Sequence, residues 1–333
     1  MKLDKIFSSH MVFSANKPIR IYGSGKGQAT VIFNGEEKNV ISDSDEWLVE
    51  FQPMNYGGPY ELKFIYNSKE SILDDIYVGE VYLFSGQSNM GLKIKETNVT
   101  EEEYVDINKL RLFSVDKFVG EDFFGADDGW VKCKKDDVSE WPALAYLSGR
   151  KLVQERNIAI GIISCSQGAS VIESWVPQDT FKNIGIDIPV DKKMSDHIDE
   201  KYKLWNVDAK LYETQLLQSV PFQISAVVWY QGESDTSYDE ASVYDKELCA
   251  LIDTWRRDFK NDTLPFVIVQ IADFCYTPNL EAWKLIQEAQ YRVQTMKENV
   301  KTVISRDVCE NDDIHPKTKD KLSKRIATAL LEL

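Results

Sequence analysis

Short apolar runs separated by turn residues occupy the N-terminal part of the chain. Residues 19–22, 29–33, 47–51 and 60–66 read as strands, and glycine-rich turns such as Gly23-Ser24-Gly25, Asn34-Gly35 and Gly57-Gly58-Pro59 lie between them. None of these runs has a helical period over a useful length. The pattern predicts a small antiparallel β domain over residues 1–76.

A different pattern begins at about residue 77, where short apolar runs alternate with longer amphipathic ones. The strands predicted here are residues 80–84, 158–164, 224–230, 266–271 and 302–305, and the helices are 143–155, 208–218, 242–259, 280–297 and 316–331. The last helix has Pro316 as its expected first residue and Leu322, Ile326 and Leu330 on one face. Residues 77–333 are therefore predicted to form an α/β domain with a mainly parallel sheet.

Two stretches, residues 97–140 and 177–205, lack a clear period and read as long loops. Loops of this kind on an α/β scaffold either shape the substrate site or form solvated surface, and the sequence leaves both open.

Composition narrows the function classes. A net charge of −15 and a pI near 4.8 would repel phosphate backbones and anionic membrane surfaces, so nucleic acid and membrane partners are not expected. No apolar run approaches the roughly twenty residues of a membrane helix, and the first residues do not form a signal peptide. With Met1 as the start, a cytoplasmic protein is expected.

The cysteines and histidines give little support for a metal centre. Five widely spaced cysteines without a CxxC pair (Cys133, Cys165, Cys249, Cys275 and Cys309) are expected to be reduced and mostly buried. No HExxH motif or Cys/His cluster has ligand spacing, so neither a metal nor another cofactor is predicted.

Polar clusters follow three of the predicted strands. Ser88 lies in the run GQSNM at residues 86–90, Gly168 follows the strand 158–164, and Gln231 opens the run QGESD at 231–235. Parallel strands end at one edge of a sheet, so the three clusters should meet there. Ser88 is equally compatible with a nucleophile and with a helix cap. Gly168 allows a backbone N–H to approach an oxyanion, and the Gln231 amide could donate to one.

Of the three histidines, His315 is the preferred general base. His10 lies in the β-rich region and His197 in a charged loop, where structural or solvated roles suffice. Asp312, three residues before His315, is expected to orient the imidazole, with Asp313 a close alternative and Glu233 a distant one. Taken alone, the segment DDIH at 312–315 would more simply be a surface turn.

These motifs together resemble the sialate O-acetylesterase family of the SGNH-hydrolase superfamily, which is related to the family-six acetylxylan esterases. The resemblance rests on GQSNM at 86–90, the block 168–175, WYQGESD at 229–235 and DIHP at 313–316, and it extends into the N-terminal region. It implies a flavodoxin-like three-layer α/β/α domain preceded by a β domain. Ser88 would be the nucleophile and His315 the base, and the oxyanion hole would consist of the Ser88 and Gly168 N–H groups and the Gln231 side chain.

The same resemblance implies a carbohydrate O-acetylesterase working through an acetyl-enzyme, with an O-acetylated sugar as its partner. Substrate contacts are expected from Gln87, Asn89, Glu233 and Trp175, and an ordinary core tryptophan is an equally compatible interpretation of Trp175. The chain departs from the family in its second block, where Gly168-Ala169-Ser170 stands in place of two glycines and a threonine. An acetylxylan esterase, a retired carbohydrate-binding protein and a thiol hydrolase using Cys309 are the alternatives. Oligomeric state is not predicted.

Overall fold

The computed structural model describes residues 1–119, 124–188 and 200–333. The strands are β1 (Lys2–Leu3), β2 (Val12–Ser14), β3 (Ile19–Ser24), β4 (Gly27–Phe33), β5 (Glu36–Ser42), β6 (Glu46–Phe51), β7 (Gly57–Tyr66), β8 (Lys69–Gly86), β9 (Ile107–Ser114), β10 (Trp130–Cys133), β11 (Ile160–Ser166), β12 (Ala226–Tyr230), β13 (Phe266–Val269) and β14 (Val300–Val303). The α-helices are α1 (Ser88–Gly91), α2 (Ala143–Arg156), α3 (Lys210–Thr214), α4 (Tyr238–Ala241), α5 (Tyr244–Asp258), α6 (Leu280–Met296) and α7 (Asp320–Leu331).

A mainly parallel sheet forms the centre of the molecule. Its strand order is β10-β9-β11-β8-β12-β13-β14, and only β10 runs antiparallel to its neighbour. Strands β11, β12 and β13 are buried along their whole length, which explains their continuous apolar sequences. Helix α2 packs on α7, and α5 packs on α6. The predicted α/β fold with a mainly parallel sheet is confirmed.

The N-terminal region is antiparallel, as predicted, and it is joined to the central sheet by one long strand. Strands β1, β3 and β6 form a small antiparallel sheet, while β4, β5 and β7 continue from β8. Strand β8 pairs with β7 in its first half and with β11 and β12 in its second half. The expected boundary between residues 76 and 77 lies inside this strand, so the division into two domains stays a prediction.

Two strands lie in the stretch 97–140 that was expected to be irregular. Strand β9 has Arg111 among its apolar residues, which obscured its pattern in the sequence. Only 2% of the Arg111 surface is exposed, because its guanidinium pairs with Asp75 at 3.2 Å and lies over the Tyr77 ring. A charged residue that is neutralised by a distant partner thus occupies a strand interior.

The last helix starts at Asp320 rather than at Pro316, which corrects the prediction. The Thr318 Oγ1 donates to the Glu310 carboxylate at 2.7 Å, and the Thr318 N–H also points to that carboxylate. These bonds keep the residues after Pro316 in a loop. His315 is consequently carried by a loop that is tied to the preceding segment.

Two other helices are shorter than expected. The predicted helix 208–218 consists of α3 followed by a 3₁₀ turn at Leu216–Ser219, and the predicted helix 242–259 is α5 preceded by the separate helix α4. Within the described residues, no helix is both long and apolar enough to cross a membrane. The five cysteines are free, and Cys133, Cys165 and Cys249 are buried, as predicted.

Candidate active site

The three polar clusters meet at one edge of the sheet. In the parallel register, Gly86 at the end of β8 lies beside Ser166 of β11 on one side and Tyr230 of β12 on the other. The residues that follow these strand ends therefore leave the sheet at the same place. This is the edge at which open α/β sheets bind their ligands.

Gly86 makes the sharp turn that presents Ser88. Its φ is +138°, and a Cβ at this position would lie 2.0 Å from the Tyr230 carbonyl oxygen. Only glycine accommodates both the backbone conformation and the close approach of β12. The chain then turns into α1, whose first residue is Ser88. The N–H of a first helical residue has no partner within its own helix, so it is available to a bound group.

Ser88 and His315 form a hydrogen-bonded pair. The Ser88 Oγ lies 2.8 Å from the His315 Nε2, although the two residues are 227 positions apart. Both side chains are half-buried. Burial lowers the pKa of His315, so the ring is neutral at neutral pH and Nε2 can accept the serine proton.

The two adjacent acids before His315 have different surroundings. Asp312 is exposed, whereas Asp313 is half-buried and its Oδ1 accepts a hydrogen bond from the His315 N–H at 2.8 Å. The Asp313 charge also raises the pKa of His315, against the larger opposite effect of burial. The structure thus places Asp313 in hydrogen-bond contact with His315, at its backbone N–H, while Asp312 faces solvent.

Asn89 points into the protein instead of toward a substrate, which corrects its expected role. Its Nδ2 donates to Glu233 Oε1 at 2.7 Å and to the Ile314 carbonyl at 2.9 Å. Glu233 is buried at the wall of the cleft, and burial raises its pKa. Gln87 also lines the cleft, and its Oε1 accepts the Gly232 N–H at 3.2 Å.

Gln231 is not in a position to bind an oxyanion, which corrects a second expectation. Its side chain is fully buried, and its Nε2 donates to the Ser170 carbonyl at 2.8 Å and to the Asp235 carboxylate. The Tyr244 hydroxyl donates to Gln231 Oε1 at 2.7 Å. Both amide hydrogens are thereby used within the interior.

Gly168 lies against Ser88. A Cβ built on Gly168 would be 3.7 Å from the Ser88 Cβ, so the backbone of this residue faces the serine directly. The next residue, Ala169, adopts a left-handed conformation with φ +52°. This is a conformation that favours glycine, so the departure from the family pattern occurs where a glycine would be less strained.

A cleft with a volume of about 540 Å³ opens beside the pair. The cleft is lined by both members of the pair, by Gly168, Gln87 and Glu233, and by residues that sequence reasoning did not single out: Lys117, Val119, Lys201, Tyr202, Leu204 and Trp205. All six come from the two stretches, residues 97–140 and 177–205, that the sequence predicts to be long loops. The aromatic residues of these charged, aperiodic segments were the only indication of a binding role in the sequence, which did not show which of them line the cleft.

Trp175 does not belong to the cleft wall, which is a third correction. It is fully buried and packs edge-on against Trp229, with ring centres 5.9 Å apart. Its Nε1 donates to Ser170 Oγ at 3.0 Å, and its carbonyl accepts from Trp255. Trp175 is a core residue, and Trp205 takes the place at the cleft.

The other candidate bases and nucleophiles lie elsewhere. His10 Nδ1 lies 2.8 Å from Asp75 Oδ2 in the N-terminal region. His197 lies outside the described residues. Cys309 is half-buried, its Sγ donates to the Thr318 carbonyl at 3.8 Å, and burial raises its pKa. A thiolate nucleophile therefore gains no support.

One group of buried acids within the described residues has the spacing of a metal site. Oxygens of Glu173, Asp235 and Glu240 lie within 4.8 Å of one another. Burial raises the pKa of Asp235 and of Glu240 well above the ordinary range, which favours their protonated forms. Asp235 already accepts the Ile172 N–H at 2.9 Å and a bond from Gln231. Protonated carboxyl groups can share hydrogen bonds, so this cluster does not require a cation.

The chain is similar to known acetylesterases. The family model described as carbohydrate esterase, sialic acid-specific acetylesterase matches residues 78–332. The sialate O-acetylesterase of Homo sapiens is 27% identical over 353 residues, covering 92% of this chain and 65% of the human protein. The sialate O-acetylesterase of Mus musculus is 25% identical, with 92% of this chain and 68% of the mouse protein covered. The chain thus spans about two thirds of the length of these relatives.

Solved structures show the same fold. A carbohydrate acetylesterase from Xanthomonas citri superposes with a TM-score of 0.85 at 25% identity, covering 98% of this chain and 74% of that chain. A protein from Arabidopsis thaliana superposes with a TM-score of 0.50 at 20% identity, covering 76% and 98% respectively. The first similarity includes the N-terminal β region, since nearly the whole chain is matched.

Proposed function

The chain belongs to the carbohydrate esterase family of sialic acid-specific acetylesterases, and from this premise we propose that it is a serine esterase that removes O-acetyl groups from a carbohydrate. The observation that carries the proposal is the 2.8 Å hydrogen bond between Ser88 Oγ and His315 Nε2. The bond lies in a cleft at the carboxyl ends of the parallel strands, where a sugar ester can reach it.

The reaction proceeds through an acetyl-enzyme. His315 Nε2 takes the Ser88 proton as Oγ attacks the acetyl carbonyl, and the imidazolium then protonates the departing sugar oxygen. In the second half, His315 Nε2 takes a proton from water as the water oxygen attacks the acetyl-enzyme. The imidazolium then returns that proton to Ser88 Oγ as the bond between Oγ and the acetyl carbon breaks, so acetic acid is released and the hydroxyl is restored. The Ser88 and Gly168 N–H groups are the oxyanion donors, since Gln231 is committed elsewhere.

Asp313 is the acid that supports His315 in this mechanism. An adjacent carboxylate stabilises the imidazolium that forms during attack. Asp313 is half-buried and bonded to the His315 backbone, whereas Asp312 faces solvent. Glu233 accepts a hydrogen bond from Asn89 and is not assigned the role of supporting His315.

An O-acetylated sialic acid is the favoured substrate. The cleft is lined by the aromatic residues Tyr202 and Trp205, which suit a sugar ring and its apolar substituents, and by the basic residues Lys117 and Lys201. Sialic acid carries a carboxylate that these cations attract, whereas acetylated xylan is uncharged. Comparing kcat/KM for O-acetylated sialic acid and for acetylated xylo-oligosaccharides checks this choice. A preference for xylo-oligosaccharides would assign the acetylxylan esterase alternative.

The nucleophile is tested by the variants Ser88→Ala and His315→Gln. Hydrolysis of an aryl acetate is expected to fall on the order of 10⁴-fold in each, because each removes one half of the hydrogen-bonded pair. Ser242→Ala, a substitution at an exposed serine outside the cleft, serves as the matched control and keeps the wild-type rate. A fluorophosphonate should label the wild type and not Ser88→Ala.

Wild-type hydrolysis by Ser88→Ala would refute the serine mechanism. Absence of both turnover and labelling in the wild type would favour the retired carbohydrate-binding alternative. The cytoplasmic location and the oligomeric state are independent of these outcomes, and the location stays a prediction.

A further inference from the structure

Lys319 is a buried lysine close to the proposed catalytic pair. Only 1% of its surface is exposed, although lysine is rarely buried unless it is paired. Its Nζ donates to Asn89 Oδ1 at 2.9 Å and lies 5.8 Å from the centre of the Tyr230 ring. The residue follows His315 by four positions and immediately precedes α7. Removing an ammonium group from water is unfavourable, so the contacts of Lys319 must compensate for its burial.

Asn89 connects the two loops of the proposed site. It is the neighbour of Ser88, and its Nδ2 donates both to Glu233 and to the carbonyl of Ile314, the residue before His315. One amide group thus joins the turn of the nucleophile to the loop of the base. The connection works only if the amide nitrogen faces these two acceptors.

Lys319 and the Ile314 carbonyl together fix which way that amide faces, one at its oxygen and the other at its nitrogen. An ammonium group has three donors and no acceptor, so the atom of Asn89 that it contacts must be the oxygen. With Oδ1 toward Lys319, the Nδ2 is directed at Glu233 and Ile314. An apolar side chain at position 319 would leave the Asn89 Oδ1 without this donor.

We propose that Lys319 is a positioning residue: by fixing the Asn89 amide, its ammonium group holds the loop of His315 in register with Ser88. The catalytic consequence of this inference rests on the proposed esterase function. The orientation of the two loops and the charge near the imidazole do not depend on it.

The ammonium group also acts on His315 through its charge. The charged or titratable groups facing Lys319 are Cys309, Glu233, Glu310 and Asp313, and those facing His315 are Asp313, Glu96 and Lys319 itself. Burial lowers the pKa of Lys319 to about 8, so it is mainly a cation at neutral pH. A nearby cation disfavours the imidazolium and lowers the pKa of His315, in addition to the larger effect of burial.

The test compares Lys319→Met, which removes both the charge and the donor, with Lys319→Gln, which keeps a donor. For aryl acetate hydrolysis, we expect kcat of Lys319→Met to fall about 10- to 100-fold with KM changed less than about 2-fold, because a misplaced base slows chemistry rather than binding. Lys319→Gln should recover part of this loss. In both variants the acidic limb of the pH–rate profile should move to higher pH.

A second measurement does not require turnover. The chain has three histidines, so the His315 ring can be titrated by NMR and assigned with His315→Gln. The pKa of His315 should rise in both Lys319 variants. Lys17→Met is the matched control, since Lys17 is a partly buried lysine in the N-terminal region whose Nζ donates to the Ile224 carbonyl at 2.7 Å. It should lower thermal stability and leave the pKa of His315 unchanged.

The outcomes separate the inference from the function. If both Lys319 variants lower only thermal stability, as Lys17→Met does, and leave the pKa of His315 and kcat at wild-type values, the inference is wrong. If the wild type hydrolyses no ester, the proposed function is wrong. The NMR titration of His315 still tests whether the Lys319 charge acts on the imidazole. Should Lys319→Met fail to fold, Lys319→Gln gives both readouts.

Discussion

At the scale of single residues, chemically similar side chains of the candidate site have different contacts. Asp312 and Asp313 are adjacent, yet only Asp313 is turned toward His315 and hydrogen-bonded to its backbone. Asn89 and Gln231 are amide side chains that follow the neighbouring strands β8 and β12. Both donate their hydrogen bonds to acceptors inside the protein. Ser88, His315 and Gly168, by contrast, line the cleft.

The acid of the site can be identified with a matched pair of variants. Asp313→Asn is expected to lower kcat on the order of 10²- to 10⁴-fold, because the imidazolium loses its compensating charge. The Asp313 charge raises the pKa of His315, so its removal should shift the acidic limb of the pH–rate profile to lower pH. This direction is opposite to the one expected for Lys319→Met.

Asp312→Asn, the control at the exposed neighbour, should change kcat by less than about 2-fold. Loss of activity in Asp312→Asn with retention in Asp313→Asn would instead restore the assignment made from the sequence. Kinetics of both variants across the pH range distinguish the two cases.

At the scale of elements, the site depends on how closely β8 and β12 approach each other at their ends. The Gln87 N–H donates to the Tyr230 carbonyl at 2.9 Å, directly after Gly86. This bond and the positive φ of Gly86 set the direction in which α1 leaves the sheet. The position of Ser88 is thus a consequence of strand pairing rather than of α1, which has only four residues.

Gly86→Ala should consequently be among the most damaging small substitutions in the chain. The added Cβ would lie 2.0 Å from the Tyr230 carbonyl oxygen, in a conformation that alanine rarely adopts. We expect a loss of about 3 kcal/mol or more in the free energy of unfolding, measured by denaturant titration.

Gly35→Ala provides the control for backbone strain alone. Gly35 has φ +78°, and a Cβ there would meet nothing within 4 Å. The cost should be about 1 kcal/mol. Equal losses for the two variants would show that the approach of β12 contributes nothing to the requirement for glycine at position 86.

At the scale of the whole molecule, the N-terminal β region is joined to the α/β region by a shared strand and by packing. Strand β8 belongs to both, and Ser14 and Lys17 donate to the carbonyls of Gln223 and Ile224, each at 2.7 Å. The ring of Phe222 packs against Phe7 and Phe13 of the N-terminal region at centre distances of 5.9 and 5.7 Å. Both regions share one hydrophobic cluster.

Phe222→Ala should therefore weaken the molecule as a single unit. A cost of about 3–5 kcal/mol is expected from the cavity and the lost contacts, and heat or denaturant unfolding should remain one transition at a lower midpoint. Calorimetry measures both properties. Two separate transitions, of which only one shifts, would show that the N-terminal region unfolds independently.

Tyr291→Ala is a suitable control because Tyr291 is an exposed aromatic residue on α6. Its replacement should change the free energy of unfolding by about 0.5 kcal/mol or less. A larger loss would indicate that an aromatic side chain on the surface is as important as one in the shared cluster.

The sequence by itself determined the fold class, and it singled out Ser88 and His315 as candidates, which the structure shows to be hydrogen-bonded. Apolar runs that alternate with amphipathic ones require a buried parallel sheet, and polar residues just after such runs must lie at its carboxyl edge. His315 followed from its placement before the last helix and from the scarcity of other histidines. Strand β9 was missed because its buried Arg111 is neutralised by Asp75, which is distant in sequence.

Only the tertiary structure decided where the polar side chains point. Gln231, Asn89 and Trp175 have the residue types of substrate contacts, but partners from other strands and loops satisfy their polar atoms in the interior. Conversely, a loop brings Trp205 to the cleft, and the start of α7 brings Lys319 to Asn89. Position 319 has the spacing of Leu322 and Ile326 on the apolar face of α7, so the sequence indicates that Lys319 is buried. Its partner, Asn89, is known only from the tertiary structure. Periodicity reports which face of an element is buried, whereas hydrogen-bond partners far along the chain select the direction of each polar group.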